Sequence, residues 1–280
     1  LINLSIQSFK NKKKSYKKKF IFVVEKDQKQ IVGISGIKSR TGIDRPYFSF
    51  IINDNVKYPY LELTKDHFGP SEIGSLFLCP NHRNKGIGRL LSLSRFLYIK
   101  ANPEEFTPTI IAELRGFLYK NNVSPVWNAL GKKFIQMSFT KADIESIKNR
   151  LFIPKNFPKK PIYFHLLPNN VIQFFKKVHP LTEPAKKLLL SENFNITNHI
   201  DIFDGGPKLE CNTSNIRSIK NTLTIPFNAI ENHINPKFNY LICNQNKQNF
   251  SCIKVTKNSY IKDIKKVLNF KSNEKVFFIR

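Results

Sequence analysis

Apolar positions along the chain follow a period of two in some stretches and of three to four in others, and the elements can be read from the changes. Residues 20–25 (FIFVVE) form a β-rich apolar run, 26–30 a polar turn, and 31–38 carry Val32, Ile34 and Ile37, so the pair reads as a hairpin. Residues 47–52 and 60–63 are further short strand candidates. A largely apolar strand at 73–78 then leads through a loop at 79–88 into 89–100. There Leu90, Leu93, Phe96 and Leu97 recur at three- and four-residue spacings and predict one helical face. The order is strand, glycine-containing loop, helix.

A second unit of strand, helix and strand is expected downstream. Residues 109–114 read as a strand, and Ser124 and Pro125 as the N-cap and first-turn proline of a helix carrying Trp127 and Leu130. Gly131 stands where that helix should stop, and 134–139 return as a strand. Past Arg150, the prolines at 154, 158 and 161 mark a connector to a helix near 169–177, followed by His179-Pro180. Thr182 is expected to cap a helix reaching Glu192, with Pro184 in its first turn. Residues 199–203 read as a strand, 204–207 (DGGP) as a turn and 208–211 as its continuation. From 212 onward, short β-rich runs at 222–227, 240–243, 251–255 and 275–279 surround one helix at 260–268. The expected class is α+β, with a principal domain over 1–211 and a small β-rich appendage over 212–280.

Composition adds limits. The chain has 280 residues, with 41% hydrophobic and 24% charged, which is globular in character. Its apolar runs fall far short of the roughly 18 to 20 residues that span a bilayer, so no membrane span is expected. The N-terminal stretch lacks the apolar core and cleavage site of a signal peptide, which makes the cytoplasm the default location. The net charge of +26 would attract any polyanion, but only nine of the 46 basic residues are Arg. Lys excess with abundant Asn, Ile and Phe reads as a compositional bias, and nucleic acid is not the favoured partner. The Lys-rich run at 10–19 reads as a solvated link in preference to an RNA or lipid patch. Cys79, Cys211, Cys243 and Cys252 form no CxxC pair and are read as reduced thiols. One C-x-x-H pair at Cys79 and His82 has no second pair at zinc spacing, so no metal is expected. No G-x-S-x-G elbow occurs, which disfavours an acyl-enzyme.

Residues 83–88 (RNKGIG) have the pattern R-x-x-G-x-G between strand and helix. Two glycines let backbone approach a ligand, and the N–H groups at the helix start then face a pyrophosphate. The pattern resembles the acyl-CoA-binding loop of the GCN5-related N-acetyltransferase superfamily, with Arg83, Lys85, Gly86 and Gly88 as the coenzyme-binding positions. The blocks SEIGSLFLCPNHRNKGIGRLLSLSRFLYI, IAELRG, SPVWNALGKKFIQMSFTKAD, KVHPLTEPAKKLLLSENF and HIDIFDGGPKLEC, in that order, resemble the arginine N-succinyltransferase family. That resemblance implies the acyl-CoA N-acyltransferase fold and transfer of succinyl from succinyl-CoA to the α-amine of arginine, with ornithine used by some members. Succinyl-CoA is then a cosubstrate, and no group is bound permanently. His179 matches the family's catalytic proton donor and Leu76 its succinyl-CoA-binding leucine. Relative to the family, the strand and most of the helical segment ahead of residue 20 are expected to be missing, and homo- or hetero-oligomerisation is left open.

A cationic acceptor on a strongly basic protein calls for a local acidic pocket, and Glu113, Asp201, Asp204 and Glu210 lie in or beside apolar strands. The bland reading is that these carboxylates pair with Arg115 or with turn N–H groups. Glu72 and His67 lie near the same strand end, and His67 and His199 are the lesser alternatives to His179 as proton carrier. Succinyl transfer to arginine is the leading expectation. Acylation of ornithine or another amine follows it, and a non-catalytic nucleic-acid-binding protein is the alternative from a different class.

Overall fold

The computed structural model describes residues 3–8, 18–26, 30–43, 46–83, 86–149, 151–235, 237–255, 264–265, 268 and 273–280. In chain order the strands are β1 (Asn3–Ser8), β2 (Lys19–Lys26), β3 (Gln30–Lys38), β4 (Tyr47–Asn53), β5 (Tyr60–Asp66), β6 (Ser71–Leu78), β7 (Thr109–Glu113) and β8 (Ile162–Tyr163). They continue with β9 (Asn195–Ile200), β10 (Pro207–Asn212), β11 (Leu223–Pro226), β12 (Tyr240–Cys243), β13 (Cys252–Val255) and β14 (Lys275–Ile279). The α-helices are α1 (Ile87–Ala101), α2 (Lys132–Phe134), α3 (Phe139–Lys148), α4 (Phe152–Asn156), α5 (Glu183–Ser191) and α6 (Arg217–Asn221). The chain divides into two compact units. The first gathers Leu1–Arg40, Pro70–Ile110 and Asn212–Arg280, the second Thr41–Gly69 and Ile111–Cys211.

In the first unit the order β1-β2-β3-β6 is antiparallel throughout. The hairpin expected at 20–38 is β2 and β3, although residues 27–29 of its turn lie outside the described residues. Ahead of residue 20, where the resemblance led to the expectation of a missing strand, β1 (Asn3–Ser8) pairs with β2 from Asn3↔Glu25 to Ser8↔Phe20. Its alternation of Leu4 and Ile6 is short and easily outweighed by the Lys-rich run that follows, of which 10–17 lie outside the described residues.

α1 packs one face on β3 and β6, as its periodic leucines predict, but it is buried almost all round. The reason lies at the other end of the chain, where β12, β13 and α6 cover its second face. Tyr98 and Phe250 meet edge to face with centroids 5.2 Å apart, and the Lys100 ammonium donates to the Ile219 carbonyl at 2.8 Å. Compactness therefore groups 212–280 with the first unit, along a different line from a cut at residue 211. That stretch does carry its own antiparallel sheet, ordered β11-β14-β12-β13. Of the helix expected at 260–268, only Ile264, Lys265 and Leu268 are described, and they are helical.

In the second unit the order β10-β9-β4-β5-β8 is antiparallel, and one face of this sheet packs against a core built on Phe50, Leu61, Trp127, Leu130 and Ile200. The alternation in β4 (YFSFIIN) puts Phe50 and Ile52 into that core and leaves Tyr47 and Ser49 for the other face. Ser124 caps as expected, accepting from the Trp127 N–H at 3.0 Å.

Gly131 does not stop the helix. Its backbone is helical, and the segment runs on as a π-helical turn at Trp127–Gly131 into α2. A Cβ at 131 would lie 2.2 Å from Trp127 Cε3, so the glycine admits the indole ring. Residues 134–139 are not a strand, because Ser138 caps α3 by accepting from the Lys141 N–H at 3.4 Å. Near 169–177 only a 3-10 turn, Ile172–Phe174, forms. The strand expected at 199–203 ends at Ile200, since Asp201 folds the chain into a turn.

Candidate active site

The first unit carries the features expected to meet a coenzyme. β6 is broken by a bulge: Ile34 faces Phe77 and Gly36 faces Gly74, so Ser35 alone stands opposite both Ser75 and Leu76. Ser75 adopts a left-handed backbone, φ 52°. A bulge interrupts the ladder and frees backbone groups of the bulged strand, which is how Leu76 comes to lie at a break in the sheet. Buried Arg95 of α1 braces this point, donating to the Gly74 carbonyl at 3.4 Å and to Ser92 Oγ at 2.7 Å. Burial alone lowers its guanidinium to about 10.

Beyond β6, exposed Arg83 turns back and donates from Nε to the Leu78 carbonyl at 3.1 Å. Lys85 lies outside the described residues. Gly86 opens α1 with φ 76°, a conformation that favours glycine, and its carbonyl accepts the Leu90 N–H at 3.1 Å. At Gly88 the nearest atom to an added Cβ is 3.9 Å away, so the first turn of α1 is open on that side. Sequence reasoning missed Lys254 of β13, whose ammonium lies 3.1 Å from where a Gly86 Cβ would stand. Nothing in the local pattern at 251–255 connects it to the loop.

The second unit brings together His179, Glu113, Asp201 and Asp204. The segment after β7 is the common strut: Arg115 accepts the His179 N–H at 2.9 Å, and Leu114 donates to Pro207 at 3.1 Å. His179 is half-buried and opens the 3-10 turn Pro180–Thr182, its Nδ1 accepting from the Leu181 N–H at 3.2 Å. With Nδ1 an acceptor, the neutral ring carries its proton on Nε2, free for another group.

Asp201 and Asp204 have backbone partners. Asp201 Oδ1 accepts from the Phe203 and Asp204 N–H groups at 2.7 and 2.8 Å, and Asp204 Oδ1 accepts from Gly206 at 2.8 Å. Enclosure raises the Asp201 carboxyl well above the usual range, helped by the charges of Asp204 and Glu113. Burial raises Asp204 too, against the pull of the Gly206 and Gly116 N–H groups and of Arg115. These two acids hold a glycine corner. Only Gly fits there, because a Cβ on Gly116 would meet the Asp204 carbonyl oxygen at 2.2 Å.

Glu113 differs, since its carboxylate accepts from the Tyr47 hydroxyl and is only partly buried. Glu210 is exposed on β10, opposite Asn195. Lys208, two residues earlier, is buried and lies under the influence of Asp66, Glu113 and Glu210. His199 Nδ1 is 2.9 Å from Ser49 Oγ, which in turn is 2.9 Å from Thr64 Oγ1. Burial, then the charge of Lys208, holds this imidazole below its ordinary value. Glu72 pairs with Lys38 at 2.6 Å, and His67 is exposed. Tyr47 and Lys208 escaped the sequence reading, which searched for acids and histidines, and Asp66 escaped it because one acid at a strand end carries no signal of its own.

Among the described residues no group of three or more His, Cys, Asp or Glu side chains is disposed to hold a metal ion, and no helix is long and apolar enough to cross a membrane.

Residues 1–218 match the family model described as arginine N-succinyltransferase beta subunit. Curated proteins named arginine N-succinyltransferase from Escherichia coli and Escherichia fergusonii are 37% identical to the chain over 213 residues, which is 72% of this chain and 62% of each relative. The chain thus spans less than two thirds of the length of these relatives. Among solved structures, the arginine/ornithine succinyltransferase subunit AI from Pseudomonas aeruginosa superposes with a TM-score of 0.80 at 25% identity, covering 95% of this chain and 83% of that one. The α+β fold is that of the acyl-CoA N-acyltransferases, with an additional antiparallel sheet at its C-terminal end.

Proposed function

We propose that this chain, which belongs to the arginine N-succinyltransferase family, transfers succinyl from succinyl-CoA to the α-amine of arginine. One observation carries the reading: in a chain of this family, the bulge at Ser75 and Leu76 is followed directly by a glycine-opened start of α1. The bulged strand supplies free backbone groups for the pantetheine arm and the thioester oxygen. The first turn of α1 supplies N–H groups for the pyrophosphate. Succinyl-CoA enters and leaves as a cosubstrate.

In the reaction the deprotonated α-amine attacks the thioester carbonyl, a C–N bond forms, and the C–S bond breaks to release a thiolate. The nitrogen sheds one proton as the amide forms and the thiolate gains one, and in this reading His179 is the residue that donates the proton to sulfur. Asp201 and Asp204 act by shaping the corner that carries Arg115 and His179, and Glu113 faces the cationic acceptor. The reading also places the enzyme in the cytoplasm and admits association with a further subunit, checked by light scattering.

The decisive assay is thiol release from succinyl-CoA by the purified chain with arginine, ornithine, lysine and glutamate. Release that depends on arginine is expected. Release with ornithine alone would move the substrate assignment, and no release with any amine, together with salt-sensitive RNA binding, would overturn the enzyme reading.

A further inference from the structure

Lys208 is 6% exposed as a residue, and its ammonium, which makes no hydrogen bond and no ion pair among the described residues, keeps contact with solvent. It lies over the Tyr47 ring, 5.5 Å from the centroid, while the Tyr47 hydroxyl is engaged by Glu113. Tyr47 is paired with Asp66 in the ladder between β4 and β5. Glu210 follows two positions along β10, and His199 of β9 feels the Lys208 charge. The stem of Lys208 is buried while its ammonium is left without a hydrogen-bonding partner at a point that solvent, and so a ligand, can reach. What surrounds it is one cation flanked by acids, the complement of a zwitterion.

We propose that Lys208 is the carboxylate anchor of the acceptor site, binding the α-carboxylate of the incoming amino acid while Glu113 and Asp66 face its cationic groups. This rests on the reading that the chain acylates an amino acid. A carboxylate could also arrive on the succinyl group, but that group brings no positive charge to meet Asp66 and Glu210. An α-amino acid with a cationic side chain does. The anchor accounts for selection of amino acids over simple amines, since a carboxylate entering the site pairs with a charge the fold leaves unpaired.

The test compares the parent with Lys208→Met, which keeps length and removes charge, and Lys208→Arg, which keeps charge. Calorimetric titration uses arginine and its decarboxylated analogue agmatine. Steady-state assays compare succinyl-CoA with acetyl-CoA. In Lys208→Met the dissociation constant for arginine is expected to rise at least about tenfold, with agmatine binding unchanged and the Michaelis constant for succinyl-CoA unmoved. Lys208→Arg should retain most of the arginine affinity, and it keeps the proposal open to refutation if Lys208→Met fails to fold.

Equal losses for arginine and agmatine, or a loss confined to succinyl-CoA relative to acetyl-CoA, would overturn the anchor. So would a parent that does not bind arginine. A parent that binds arginine through Lys208 yet releases no thiol would overturn the transferase reading and leave the anchor standing.

Discussion

The glycine corner beside His179 allows a prediction in which two chemically identical substitutions have opposite effects. In Gly206→Ala the new Cβ would lie 2.0 Å from the Leu114 carbonyl oxygen and 2.6 Å from the Gly116 nitrogen. Both are backbone atoms and cannot swing aside, so the corner must open. Three hydrogen bonds close it: Asp201 N–H to Gly206 at 2.8 Å, Gly206 N–H to Asp204 Oδ1 at 2.8 Å, and Leu114 N–H to Pro207 at 3.1 Å. At about 0.5 to 1.5 kcal/mol each, their loss comes to about 1.5 to 4.5 kcal/mol. Each kcal/mol moves Tm by about 2 to 4 °C in a protein near this size, so a drop of roughly 3 to 18 °C is expected. The disturbance passes through Leu114 to Arg115, whose carbonyl holds the His179 N–H at 2.9 Å, so turnover should fall while coenzyme A still binds.

Gly88→Ala supplies the contrast. Its Cβ would find nothing closer than 3.9 Å, and alanine favours a helix over glycine by up to about 1 kcal/mol, so stability should hold or rise. If backbone at this turn meets the pyrophosphate, coenzyme A affinity should weaken. Urea unfolding and coenzyme A titration of both variants decide the matter. A Gly206→Ala protein within about 0.5 kcal/mol of the parent would refute the reasoning about the corner, and unchanged coenzyme affinity in Gly88→Ala would refute the reasoning about the loop.

His179→Ala should lose roughly 10² to 10⁴ in turnover and keep coenzyme binding; a loss within about threefold would exclude the assignment. For Asp201, whose carboxyl is raised in the folded state, the stability gained by holding its proton is present below the unfolded value and disappears as pH rises through the folded one. At neutral pH, Asp201→Asn should therefore match or exceed the parent in urea. Asp201→Ala should lose about 1 to 3 kcal/mol for each turn N–H left unmatched, and equal behaviour of the two variants would contradict a corner-holding role. His199 is depressed by burial, so the unfolded chain takes up its proton first as pH falls. Stability should be unaffected above about pH 6.5 and decline below it, and a His199→Gln protein with undiminished acid sensitivity would assign that decline elsewhere.

The fold was legible where local pattern and packing agree. β3, β4, β6, β12 and β14 lie where alternation or apolar runs placed them, and α1 starts two residues before its first periodic leucine window. The failures share a cause, which is that a partner distant in sequence decided the outcome. Gly131 reads as a stop because glycine usually ends helices, yet the Trp127 ring four residues back needs the space. Residues 134–139 have strand composition, but Ser138 is committed to capping α3.

At the site, the sequence separated residue types better than it separated jobs. His179, Glu113, Asp201 and Asp204 all lie in the second unit, but acids chosen as partners for a cation divide according to what reaches them first. Asp201 and Asp204 are claimed by turn N–H groups two and three residues away, which a DGGP turn makes available. Glu113 is engaged by a side-chain hydroxyl from β4 and keeps part of its surface exposed. Lys208 was invisible for the opposite reason: in a chain with 46 basic residues, one more lysine carries no signal until its burial is known. At 6% exposure its stem is packed away, unlike the lysines of the basic surface, and the placement of its ammonium over Tyr47 is what makes it informative. A net charge of +26 therefore says little about what this protein binds, and the few charges withdrawn from water say more.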